Sequence, residues 1–85
     1  MRLIEIIRDL ELLENEGTIC VLKPWTENSP AVVAVKPEAA DSGMEYFMDV
    51  FIAREFLDGW ASNLDTHPTL EEKCLRLIQY AINDA

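Results

Sequence analysis

Two short runs, residues 18–23 (TICVLK) and 31–36 (AVVAVK), constrain this chain more than any other feature of it. Both are rich in β-branched residues, and both are closed by Lys-Pro, at Lys23-Pro24 and Lys36-Pro37. Proline has no N–H to give a sheet ladder, so each pairing must stop there. The polar stretch PWTENSP between them suits a hairpin loop, which makes the two runs antiparallel neighbours. Neither run alternates cleanly. Ile19 and Val21 face one way and Cys20 and Leu22 the other, while Val32 and Ala34 are opposed by Ala31, Val33 and Val35. A strand apolar on both sides needs cover on both sides, so the rest of the chain must supply apolar faces.

It does so with helices. At about 100° per residue, Leu3, Ile6, Ile7, Leu10 and Leu13 share an arc of about 120°, which predicts a helix over residues 3–14 with Leu12 pointing away. Gly17 is placed to terminate it. Near the other end, Thr69 and Glu72 match a capping box. Leu70, Cys74, Leu77, Ile78 and Ala81 then form one face, with Leu75 and Ile82 widening it. A helix is predicted over residues 70–83, with Glu72 and Arg76 as a supportive i,i+4 pair. Residues 53–62 carry Phe56, Leu57 and Trp60 at helical spacing, and residues 63–68 (NLDTHP) read as a linker.

Residues 44–52 are ambiguous. Met44, Tyr46, Met48, Val50 and Ile52 make an unbroken period-two face with Phe47 and Phe51 opposite, which favours a third strand. Ser42 and Glu45 also match a capping box, which would begin one long helix over residues 43–62. With the strand preferred, the expected fold is α+β. It runs helix, antiparallel β-hairpin, third strand, then two C-terminal helices packed on the sheet, in a single domain over residues 1–85.

The 16 acidic residues against 7 basic ones give a net charge of −9, which argues against nucleic acid or an anionic bilayer as partner. An acidic surface favours a basic partner or simple solubility. The N-terminal apolar residues are interrupted by Glu5, Arg8, Asp9 and Glu11, unlike the core of a signal peptide, so a cytoplasmic protein is expected. Cys20 and Cys74 then read as small buried hydrophobes rather than a disulfide.

Candidate chemistry is sparse. One histidine and two distant cysteines fit no zinc spacing, and the three glycines are isolated, so no metal, cofactor or phosphate loop is expected. His67 reads as exposed linker. Glu45 with Asp49 and Glu55 with Asp58 are conceivable acid–base pairs, though a solvated face explains them more simply. No catalytic residue is assigned. Trp25, in a polar loop between prolines, is either a lid folded back over the sheet edge or a contact residue. Trp60 belongs to the core. Arg54, a lone base in an apolar stretch, either pairs with Asp58 at i+4 or faces a partner together with Glu55. Trp25, Arg54 and Glu55 are therefore the candidate partner-binding residues.

With Pro24-Trp25, residues 46–60 and the final helix in place, the chain resembles a family of short bacterial proteins known only as a domain of unknown function. The likeness implies no activity, cofactor or catalytic residue. The small acidic members look like bacterial immunity proteins, which neutralise toxins. The reading that follows is a non-enzymatic interaction module, immunity-like, acting on a basic protein. The alternative is a small-molecule-binding or regulatory domain with a pocket between the sheet and the C-terminal helices. Three helices packing side by side on one face would leave the other sheet face bare, so a homodimer is expected.

Overall fold

Strand β1 (Thr18–Val21) is the middle of a three-stranded antiparallel sheet, flanked by β2 (Ala31–Ala34) on one side and β3 (Glu45–Asp49) on the other. Helix α1 (Leu3–Arg8) and a 3-10 turn (Leu10–Leu12) precede the sheet, and α2 (Val50–Ser62) and α3 (Leu70–Asp84) follow it. The computed structural model describes residues 1–35 and 43–84. The architecture is the expected α+β order. Lys36-Pro37 and Ser42, the first residue of the candidate capping box with Glu45, lie outside the described residues. Gly43 has a φ of 92°, the left-handed region that glycine enters without a Cβ penalty, just before β3.

Both hairpin strands are shorter than expected. The pairing runs from Thr18 opposite Ala34 to Val21 opposite Ala31, and the Leu22 N–H still donates to the Pro30 carbonyl at 3.0 Å. The loop of residues 24–30 is organised by Ser29, which is 4% exposed. Its hydroxyl accepts from the Thr26 N–H at 2.8 Å and donates to the Pro24 carbonyl at 2.6 Å. The same loop caps α1. Leu3 N–H donates to the Ser29 carbonyl and Ile4 N–H to that of Glu27, each at 2.9 Å, satisfying first-turn donors that no helix can pair internally. Arg2 N–H donates to the Glu5 carboxylate at 2.7 Å, which holds the Glu5 carboxyl below its ordinary range.

The first helix ends at Arg8, not at residue 14. Asp9 leaves helical geometry (φ −98°, ψ 14°), and Leu12 and Leu13 then donate three residues back, to Asp9 and Leu10. A 3-10 turn keeps Leu10 buried and sends Leu12 out to solvent, so over one turn it gives the same apolar pattern as an α-helix. The pattern alone could not separate them.

Residues 44–52 also divide differently from the expectation. A strand forms, but it stops at Asp49, and α2 begins directly at Val50 rather than at Ala53. Register sets the limit. Ile19 faces Met48 and Cys20 faces Tyr46, so Phe47 is an extra residue at a bulge. The bulge breaks the period-two face. Phe47 and Met48, neighbours in sequence, are both buried at 4% exposure, while Tyr46 is 58% exposed. Asp49 caps α2 without a side-chain bond to it, because its carboxylate accepts from the Thr18 hydroxyl at 3.2 Å. The Val50 N–H instead donates to the Gly17 carbonyl at 2.9 Å.

At α3 the capping box forms as predicted. Glu72 N–H donates to the Thr69 hydroxyl and Thr69 N–H to the Glu72 carboxylate. Cys74, Leu77, Ile78 and Ala81 are buried, whereas Leu75 and Ile82 stay exposed and do not widen the face. Arg76 does not pair with Glu72; its guanidinium lies over the Phe56 ring at 5.2 Å.

One core joins every described element. Leu3, Ile6, Ile19, Val21, Val50, Cys74 and Leu77 are its largest fully buried side chains. Ile19, Val21 and Ala31 point into it, while Cys20, Val32 and Ala34 on the opposite sheet face lie outside the cluster. The helices therefore pack on one face of the sheet.

Candidate functional site: an aromatic cleft at the edge strand

Trp25 folds back. Its indole N–H donates to the Val21 carbonyl at 3.3 Å, and its ring meets Phe47 edge to face, with centroids 5.1 Å apart. The bulge makes this contact available, since it turns Phe47 toward the core side where the loop can reach it. Lys23 completes the group: its ammonium sits 5.3 Å from the Trp25 ring centroid and 3.1 Å from a Glu45 carboxylate oxygen.

Tyr80, near the end of α3, stacks on Phe56 of α2 with centroids 4.1 Å apart. Between this stack and Trp25 lies a half-open cleft of about 150 Å³ lined by Trp25, Tyr46, Phe47, Met48, Ile52, Tyr80 and Ala81. Trp25 is also a wall of a second depression, of about 220 Å³, with Lys23, Pro24 and Ile82. Of the two the smaller is the better formed, because four elements contribute to it. Exposed Tyr46, Ile52 and Ile82 rim this surface.

The three candidate residues do not come together. Trp25 is both lid and cleft wall, so the two readings of it are compatible. Arg54 turns inward: its Nε donates to the Leu10 carbonyl at 3.0 Å, and its terminal nitrogens donate to the Leu13 carbonyl and the Asn15 side chain. It is a clamp on the 3-10 turn and makes no pair with Asp58. Glu55 and Asp58 are both exposed on α2. Of the cleft residues, Tyr80 and Phe47 were not singled out as site residues from sequence; Tyr80 lies off the apolar stripe of its helix, and Phe47 reaches the cleft through a bulge.

Other chemistry is not assembled here. Glu45 pairs with Lys23 and Asp49 with Thr18, so this carboxylate pair is divided between two partners. His67 is exposed. Cys20 and Cys74 are free, buried thiols, and burial, with the Glu27 charge adding to it, pushes Cys74 up to about 11. Among the described residues no three His, Cys, Asp or Glu gather as a metal site, and no helix is long and apolar enough to cross a membrane. No family model, curated protein or solved structure matches the chain.

Proposed function

We propose that this chain is a non-enzymatic protein-interaction module whose partner is a basic protein, in the manner of an immunity protein that neutralises a toxin. The observation that carries the reading is the aromatic cleft, opening beside exposed Tyr46, Ile52 and Ile82 on a chain of net charge −9. Rings in a half-open cleft suit anchoring contacts, and an acidic field accelerates encounter with a basic surface. Trp25 belongs to this contact surface, and Glu55 is an exposed acidic charge on α2 that would add to the acidic field. Arg54 serves the fold. The likeness to short bacterial proteins adds no residue to the site, and a cytoplasmic location belongs to the same proposal.

The test is binding to the product of a neighbouring gene of basic composition. A complex that weakens as salt rises, and that inhibits that protein's activity on co-expression, is the expected result. Capture of nucleic acid at physiological salt, or binding indifferent to the partner's charge, overturns it.

A small-molecule-binding or regulatory role is the second reading, favoured by the position of the same cleft between sheet and α3. We also propose that two copies associate through the sheet face bearing Cys20, Val32 and Ala34, which stands outside the core cluster; Cys20 and Ala34 are already buried within one copy, so the new burial falls mainly on Val32.

A further inference from the structure

We propose that the aromatic cleft is a guanidinium site, which takes the side chain of an arginine presented by the basic partner. The inference rests on the interaction reading above and names the chemistry of its anchor.

Three independent features point to a cation. First, the lining is rich in rings: Trp25, Tyr46, Phe47 and Tyr80 come from a loop, a strand and a helix to one cleft that holds no basic side chain. Aromatic faces attract cations through their quadrupole, and guanidinium stacks on them better than ammonium does. Second, the ring systems on either side already carry cations. Lys23 lies over Trp25 at 5.3 Å, and Arg76 lies over Phe56 at 5.2 Å, with Phe56 stacked in turn on Tyr80. The molecule thus uses these surfaces for cations where its own sequence supplies them. Third, Tyr80 and Ala81 stand at the C-terminal end of α3, where the backbone carbonyls give a partial negative charge. The last turn of that helix has no basic residue to offset it.

The dimensions agree. About 150 Å³ is the size of an apolar cavity that accepts benzene, enough for a planar guanidinium and part of its stem. The Trp25 indole N–H is already engaged with the Val21 carbonyl, so the ring enters the cleft as a π surface rather than as a donor. Lys23 does not block entry by charge, since Glu45 pairs it at 3.1 Å.

Two peptides differing only in charge test this: Ac-Gly-Arg-Gly-NH2 and its citrulline counterpart, a neutral isostere. Both are titrated into the full chain while the NMR signals of the Trp25 indole and the Tyr80 ring are followed. The arginine peptide should shift these signals with an affinity about tenfold above that of the citrulline peptide. Tyr80→Leu, which leaves the net charge unchanged, should abolish the preference, and Tyr46→Leu, at a position 58% exposed, should reduce it, with the dispersed NMR spectrum of each variant checking that it folds. Equal affinities, shifts located away from the cleft, or a preference that survives both substitutions would overturn the proposal. Failure of the interaction reading looks different. The arginine peptide would still bind at the cleft while no basic protein does; conversely, a basic protein bound equally by both leucine variants would leave that reading standing and sink this one.

Discussion

Arg54 shows how much one side chain can decide. Its guanidinium reaches two carbonyls, of Leu10 and Leu13, and the Asn15 side chain, across the gap between α2 and the 3-10 turn. The Leu10 carbonyl already accepts from the Leu13 N–H, so Arg54 adds a second donor there and reaches the Leu13 carbonyl beyond the end of the turn; a planar fork of donors suits this set better than any single ammonium. Arg54→Ala should therefore destabilise the fold by about 1–3 kcal/mol, the range for leaving part-buried acceptors unpaired, and Arg54→Lys should recover only a fraction. Urea denaturation with unchanged slope measures both; a loss below a few tenths of a kcal/mol would return Arg54 to the surface. The sequence marked Arg54 as unusual, a base in an apolar stretch, but offered it only Asp58 or an external partner. The true acceptors, two backbone carbonyls and the Asn15 side chain, lie about forty residues away along the chain, and carbonyls carry no signature in a sequence.

Elements formed by neighbours were legible, and those fixed by distant partners were not. The Thr69–Glu72 capping box and the stripe from Cys74 to Ala81 are local, so they could be read directly and formed as read. The hairpin needed only its two strands and their prolines. By contrast, the bulge at Phe47 depends on β1 as pairing partner, and it moved Phe47 and Tyr46 to the opposite environments from those the alternation implied. The cleft, which depends on that bulge, was hidden for the same reason. Gly17 is another long-range case. It was read as a helix terminator, yet a Cβ placed there would lie 2.8 Å from a Val33 methyl, 3.1 Å from the Glu14 carbonyl and 3.2 Å from a Val50 methyl. The segment after the 3-10 turn, β2 and α2 all close on this one position. Gly17→Ala should cost about 1–3 kcal/mol through overpacking, although Gly→Ala at an uncrowded site usually stabilises by making the unfolded chain less costly to order. A thermal midpoint equal to or above that of the parent would refute the crowding.

For the molecule as a whole, charge separates its two proposed associations. Each copy carries −9, so a homodimer forms against its own repulsion, whereas a complex with a basic protein gains from attraction. Raising salt should strengthen the first and weaken the second. Sedimentation equilibrium at low and high salt should show mass rising above 9.7 kDa with concentration, more readily at high salt; a constant 9.7 kDa in both would remove the dimer. The central place of β1 has a consequence beyond association. β2 reaches it from the hairpin, β3 from further along the chain, and α1, which packs on α3, covers it together with the C-terminal half. Releasing β3 would bare one side of β1, and releasing α1 would uncover both β2 and α3. Opening either half would strip cover from the other, so the chain should melt in one cooperative step, with calorimetric and van't Hoff enthalpies equal; a calorimetric enthalpy well above the van't Hoff value would show separate units.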